Sequence, residues 1–348
     1  MDAGAVNVNV TADDFDSILT YADQGSWTTP DPSSKAFSAA GSPWLMGTFH
    51  STDVVGAGVS MNFTGPAVTI VGASGPEYGS VEVVLDGQAT VHSAYATSNA
   101  SAPYILYSTA SLAYAPHTLT LRNLGKQGSD AGGNRFLLDF VRTVVQVAPA
   151  GATVTNQTLE ETDPRIKYSG TWGNNKSPNF GGGGTTFTND DNASFELEFS
   201  ASAIYVFGDK KNDHGLYTVT LDSQPAQTLS GISGCGGAFG MTCEQQAPTL
   251  KYFASNLAAG THKITLTNRA GVNQSFFDLD SIVLTVPSVF APRNSSADGS
   301  HSSAHGSASS SAPLAHQSTS HALPTAGLPS FIHLFLFVFL CAHIVRHH

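Results

Sequence analysis

The densest run of side chains able to hydrogen-bond, titrate or hold a ligand is Asp209-Lys210-Lys211-Asn212-Asp213-His214. Carboxylates, an amide and an imidazole placed side by side can fix the hydroxyls of a sugar, provided an aromatic ring covers the apolar face of the pyranose. The three tryptophans, Trp27, Trp44 and Trp172, are the candidate platforms. Asp209, Asn212, Asp213, His214 and Trp172 therefore form the leading ligand-binding set, with Trp27 and Trp44 as further candidates. Trp27 and Trp172 occupy matching places in an internal repeat, which suits core packing as well as it suits a platform.

Other chemistries leave no trace. Of the 13 histidines, eight lie at or beyond His301, dispersed through the Ser-rich stretch and the apolar tail, where solvated side chains are the plainer reading than metal ligands. Residues 181–184 are GGGG with no following Lys-Thr pattern, which reads as a flexible loop rather than a phosphate cradle. No Gly-x-Ser-x-Gly elbow and no His-Glu-x-x-His pair occurs. Paired carboxylates for glycoside hydrolysis are set by spatial separation, and nothing in the sequence points to them. The expectation is a protein without enzymatic activity, metal or cofactor.

Two features point outside the cell. Cys235 and Cys243 bracket the short segment GGAFGMT, as a small-loop disulfide would, while Cys341 lies in an apolar terminal stretch. Asn-x-Ser/Thr acceptor sites occur at Asn9, Asn62, Asn99, Asn156, Asn175, Asn192, Asn273 and Asn294.

The elements that must position these residues come from a duplication. Residues 59–88 align without gaps on 195–224, pairing Phe63 with Phe199, Gly72 with Gly208, Gly79 with Gly215 and Asp86 with Asp222. Further on, Tyr107–Asn123 aligns on Tyr252–Asn268, so that HTLTLRN matches HKITLTN. FLLDFV (136–141) matches FDLDSI (277–282), and GSW (25–27) matches GTW (170–172). Between the aligned blocks the second copy carries an insertion that contains both Cys235 and Cys243. Within each copy apolar residues recur every second position (Val59, Met61, Phe63; Val81, Val83, Leu85; Tyr217, Val219, Leu221), with Gly, Pro, Asn and Asp between the runs. This is the pattern of half-buried antiparallel strands joined by tight turns, and it predicts an all-β fold of two tandem β-sandwiches.

The pairs ASLAYAPHTLTLRN with RFLLDFVRTVV, and ASNLAAGTHKITLTN with FFDLDSIVLTV, resemble the closing strands of galactose-binding-domain-like jelly rolls. The first copy departs from that pattern by carrying Pro116 in place of Gly. Together with IKYSGTW, FGDKKNDHGLYTVTLD and the apolar C-terminus, the chain looks like a group of basidiomycete fungal surface proteins with two such modules. The resemblance covers roughly residues 13–286. It implies the jelly-roll fold and leaves function open, because the superfamily serves lectins, enzyme accessory modules and spacers. It also implies structural Ca²⁺ near loop carboxylates in some members, which draws attention to Asp139 and Asp280. Two isolated Asp do not supply the six to eight oxygens of such a site, and hydrogen bonding or turn capping is the plainer role.

The expected organisation is a disordered segment 1–12, sandwich 13–148, linker 149–158, sandwich 159–287, a disordered Ser/Ala/His-rich stalk 288–327 and a hydrophobic helical anchor 328–345. Eighteen residues rise about 27 Å as a helix against a hydrocarbon core of about 30 Å. A lipid-anchor signal and a single membrane span both suit this tail. The opening MDAGAVNVNV lacks the basic and apolar regions of a secretory signal, so the expected reading is a truncated N-terminus. Composition agrees with a surface location. Charged residues are 12% of the chain and the net charge is −11, which gives no footprint for nucleic acid. The expected function is a membrane-anchored extracellular protein that binds glycan or cell-wall polysaccharide through its loops. The alternative is a structural or sensor ectodomain without small ligand, and a glycoside hydrolase ranks third.

Overall fold

A computed structural model describes residues 4–97, 101–128, 132–234, 243–245 and 247–292. Residues 293–327 of the predicted stalk, the whole predicted anchor, Asn99, Cys235 and Asn294 lie outside them. Among the described residues no helix is long and apolar enough to cross a membrane.

The N-terminal half contributes β1 (Val6–Asp13), β2 (Thr20–Tyr21), β3 (His50–Thr52), β4 (Gly58–Gly65), β5 (Val68–Ser74), β6 (Ser80–Leu85), β7 (Gln88–Ser93), β8 (Ser101–Thr109), β9 (Ala115–Gly125) and β10 (Phe136–Ala148). The C-terminal half contributes β11 (Val154–Glu160), β12 (Lys167–Ser169), β13 (Gly173–Lys176), β14 (Gly184–Thr188), β15 (Ser194–Phe199), β16 (Ala203–Gly208), β17 (Leu216–Leu221), β18 (Gln227–Ser230), β19 (Thr249–Ser255), β20 (His262–Arg269), β21 (Phe277–Leu279) and β22 (Ser281–Pro287). No sheet mixes strands of the two halves, and the strand orders correspond. The order β1-β10-β5-β8 is repeated as β11-β22-β16-β19, and β2-β4-β9-β6-β7 as β12-β15-β20-β17-β18. The fold is all-β, two antiparallel jelly-roll sandwiches in tandem, as the period-two pattern requires.

The repeated His-x-Leu-x-Leu-x-Asn segment shows why the pattern recurs. In β9, Leu119 and Leu121 enter the core while the His117 ring binds the Asp86 carboxylate at 2.6 Å and the Ala113 carbonyl at 2.9 Å. In β20, His262 makes the same contacts to Asp222 at 2.8 Å and Ala258 at 3.0 Å. Each Asp also accepts a backbone N–H, from Thr118 or Lys263, and sits at the tip of its hairpin with φ near +50°, a region Asp tolerates. The terminal Asn is buried in both copies: the amide of Asn123 donates to the carbonyls of Val54 and Asn134, that of Asn268 to Asp190 and Ser275. Each copy thus staples its turn at one end of a strand and its loops at the other.

Three expectations require correction. Residues 6–12 are not a disordered segment: β1 pairs with β10 along its length, because Val6, Val8 and Val10 alternate with Asn7 and Asn9 and have an apolar partner to meet. Strand β11 begins at Val154, inside the expected linker, and pairs with β22. The GGGG segment is a short 3-10 turn running into β14, with Gly182 and Gly183 at positive φ and Gly184 so close to the Asn175 carbonyl that a Cβ would sit 2.2 Å from it.

The partner of β1 is the other sandwich. Val10, Val145 and Val147 form one apolar cluster with Ala203 and Leu250, flanked by Tyr205, Phe207 and Phe253. Each such buried aliphatic side chain contributes about 1.5–3 kcal/mol. The described residues of the two sandwiches accordingly belong to one compact unit.

Candidate functional site

The loop after β16 is where the sequence placed its leading ligand set. Its entry is fixed by Gly208, where a Cβ would lie 2.1 Å from the Asp278 carbonyl, and its exit by backbone pairing of His214 with Phe276. The structure covers this loop. Asp209 is 3% exposed, Lys210 1%, Asn212 0% and His214 2%, with Asp213 half-buried. Its own sandwich supplies much of the cover, Ser233 N–H donating to the Lys211 carbonyl at 3.3 Å and Gln245 N–H to the Lys210 carbonyl at 3.2 Å, while the β1–β2 turn of the first sandwich docks on the adjacent β19, Ser17 N–H donating to the Leu250 carbonyl at 2.9 Å and Leu250 N–H to Asp16 Oδ1 at 2.7 Å. Asn212 is spent internally, its Oδ1 accepting from Ser233 Oγ at 2.8 Å. Asp209, Asn212 and His214 are therefore not a solvent-facing sugar site. Contacts from residues 231–234 and 243–245, together with Asp13, Asp14 and Asp16 facing Lys210, decide this.

The interface so formed is ionic as well as apolar. Burial pushes the Asp16 carboxyl up to about 6 and the Lys210 ammonium down to about 7, where the neighbouring Lys251 lowers it further and Asp16, Asp14 and Asp13 partly restore it. His50, wholly buried with its Nδ1 2.7 Å from Asp14 Oδ2, is held neutral, its value pulled down to about 3 by burial. Deeper in the second sandwich, burial lifts Asp209 to about 7 and lowers Lys251 to about 8. For His214 burial acts downward, but hydrogen bonding to Asp213 and attraction to Asp278 outweigh it and raise the imidazole to about 9. Asp278 and Lys251 were missed in the sequence. The available signal was that the aligned positions of the first copy hold Leu137 and Leu106.

The tryptophans separate. Trp27 is 0% exposed, with its ring 5.0 Å from Tyr21 and 5.6 Å from Phe136, so it is core and not a platform. Between the matched Tyr21 and Trp27 the first copy has two residues more than the second has between Tyr168 and Trp172, and the longer turn carries the indole inward. Trp172 stays half-buried at the rim, its ring 4.8 Å from Tyr168 and its Nε1 donating to the Ser169 carbonyl at 3.0 Å. Trp44 is half-buried on Phe49 in the first sandwich, at 5.1 Å. Asp139 accepts from Leu45 N–H at 2.8 Å and Asp280 from Ser281 Oγ at 2.7 Å, so both act as hydrogen-bond acceptors.

An open cleft of about 450 Å³ lies on the second sandwich, lined by Pro164, Arg165, Lys167, Glu196, Glu198 and Lys263. Glu196 and Glu198 share one face of β15, as alternation demands. Lys263 on the neighbouring β20 pairs with Glu196 at 2.9 Å, which holds that carboxyl below its usual range. Arg165 is clamped by Asp163 through two contacts of 2.8–2.9 Å. The sequence signal for this cleft was weak, because its residues come from three separate segments.

Cys243 is disulfide-bonded, and its expected partner Cys235 is outside the described residues. Asn9, Asn62, Asn156, Asn175, Asn192 and Asn273 are all exposed.

No family model matches the chain. It is 24% identical over 244 residues, 70% of its own length, to a protein of Flavonifractor plautii named A type blood alpha-D-galactosamine galactosaminidase. The chain spans 20% of that relative's length. Among solved structures, a family 35 carbohydrate binding module from Clostridium thermocellum aligns with a TM-score of 0.28 at 13% identity, covering 37% of this chain and 98% of the module. A family two carbohydrate esterase from Cellvibrio japonicus aligns with a TM-score of 0.28 at 12% identity, covering 38% of this chain and 34% of the esterase. The expectation of a protein without enzymatic activity does not stand against this curated relative, which is a named galactosaminidase.

Proposed function

We propose that the chain is a glycan-recognising part of a carbohydrate-active protein, and that it takes its ligand in the cleft on the second sandwich. The carrying observation is that cleft: two carboxylates and three cations line an open hollow on a rigid sheet face, a donor and acceptor set suited to sugar hydroxyls. Glu196 and Glu198 also suit the ammonium of an unacetylated amino sugar. The relative's name makes galactosamine-bearing glycans the first ligands to try. Tyr168 and Trp172 pack against the core of the second sandwich, on the side of β12 away from Lys167, so the cleft recognises its ligand by polar groups. The chain's span of a fifth of its relative suits an accessory share of a larger activity.

Titration of the full chain with galactosamine-terminated and N-acetylgalactosamine-terminated oligosaccharides tests this, with release of free sugar followed in the same samples. Binding is expected to favour the free amine and to weaken about tenfold or more in Glu198→Gln, the loss expected for one charge-assisted hydrogen bond. Equal binding by Glu198→Gln, or none by the wild type, sinks the cleft as the site. We extend the reading to an extracellular, glycosylated and C-terminally anchored protein, supported by six exposed acceptor asparagines and the apolar tail.

A further inference from the structure

Comparison of the two copies isolates four positions. In the first sandwich Ala73, Tyr78, Leu106 and Leu137 are 1–5% exposed and belong to the apolar core. Their counterparts in the second are Asp209, His214, Lys251 and Asp278, which are 0–5% exposed. The geometry of the two sets is the same. A Cβ on Gly72 would meet the Leu137 carbonyl at 2.0 Å and Leu106 Cδ1 at 2.9 Å, and one on Gly208 would meet the Asp278 carbonyl at 2.1 Å and Lys251 Cε at 3.1 Å. Tyr78 bridges to Arg135 as His214 bridges to Phe276. One fold thus carries an apolar and an ionic version of the same pocket. Burying ionic groups is costly unless each finds a partner, so the second version calls for something the first does not need.

The four groups attract one another but leave polar atoms without hydrogen bonds. Lys251 Nζ, Asp209 Oδ1 and His214 Nε2 are buried without a hydrogen-bond partner. His214 Nε2 stands 3.7 Å from Asp278 Oδ1, too far for a hydrogen bond. One ligand atom from each of Asp209, His214 and Asp278 lies within 4.8 Å of the other two. The 3.7 Å edge is close to the ~3.4 Å between ligand atoms of a tetrahedral ion with ~2.1 Å bonds. His214 Nδ1 is 2.9 Å from Asp213 Oδ1, so Nδ1–H can donate there and turn the Nε2 lone pair inward, the outer partner that metal-binding imidazoles commonly have. Asp278 Oδ2 accepts from Thr185 Oγ1 at 3.0 Å, which orients the second carboxylate.

We propose that Asp209, His214 and Asp278 bind a divalent transition-metal ion of the zinc type, which locks the loop after β16 to β21 beneath the first sandwich. One imidazole with two carboxylates suits zinc, whereas calcium wants six to eight oxygens. On binding, the metal bonds to Nε2 and to one oxygen of each Asp, and any proton on Nε2 leaves to solvent. The site goes beyond the glycan reading and does not depend on it.

The full chain, refolded with Zn²⁺ or Co²⁺ and then passed through a chelator column, tests the site. The wild type is expected to retain one tightly held ion, to show the intense visible bands of tetrahedral Co²⁺, and to melt several degrees higher with Zn²⁺ than without. The grafted variant Asp209→Ala/His214→Tyr/Lys251→Leu/Asp278→Leu restores the first copy's apolar set, so it is expected to fold and to lose both the ion and the melting shift. Asp213→Asn should weaken retention about tenfold to a hundredfold. The His-rich tail is common to all variants, so an ion retained equally by wild type and graft belongs to the tail and overturns the proposal. A wild type without retained metal, or one that answers to Ca²⁺ alone, overturns it equally.

Discussion

At the residue scale, identical residue types in matched positions have different duties. Trp27 fills the first core and Trp172 borders the surface of the second sandwich. Trp27→Ala is expected to cost about 3–5 kcal/mol in urea unfolding, the usual loss for a large aromatic removed from a packed interior, and Trp172→Ala about 1 kcal/mol or less. Equal losses would mean that the indoles share one role. The asymmetry was hidden in the sequence because the aligned GSW and GTW look alike. What separates them is the length of the turn from the preceding tyrosine, and the direction that turn takes is a property of the folded backbone.

At the element scale, the hairpin staples are electrostatic devices with a readable pH signature. His262 is raised above its ordinary value, with the Asp222 hydrogen bond outweighing burial, and Asp222 is lowered by His262 and by the Lys263 N–H despite burial. A raised histidine stabilises fully below its unfolded value of about 6.5, and that contribution fades as pH rises through the higher folded value. The lowered Asp222 keeps its part until the pH falls below about 4. His262→Gln should therefore destabilise by about 1 kcal/mol near pH 5 and by clearly less near pH 9, measured by denaturant midpoints. A gap that stays constant with pH would show that the ring acts by packing on Phe199 alone. The strands and their staples were legible in the sequence, because HTLTLRN and HKITLTN combine period-two apolar residues with a polar residue at each end. Strand β1 reads as a disordered segment in the sequence, since the alternation of Val6, Val8 and Val10 does not disclose β10 or the second sandwich that they meet.

At the scale of the whole molecule, two similar sandwiches share a seam of valines and a layer of buried charge. Asp16 accepts the N–H of Leu250 from the other half and that of Asp13 from its own. Asp16→Ala leaves both donors without an acceptor, at about 1–3 kcal/mol each. Calorimetry should then resolve two unfolding transitions where the wild type shows one, and a single unshifted transition would mean that the apolar seam alone couples the halves.

The duplication, the strand order it implies and the turn staples were all determined by the sequence, because alternation, turn residues and motif spacing act over a few neighbouring positions. The fate of the polar residues was decided only by the tertiary structure. The run 209–214 reads as a surface loop until residues 231–234 and 243–245 close over it and residues 13–17 dock beside Lys210. Asp278 and Lys251 read as ordinary strand residues until β16, β19 and β21 bring them to one point. Exposure and charge balance depend on segments far apart in the chain, and no local pattern encodes which of them will meet.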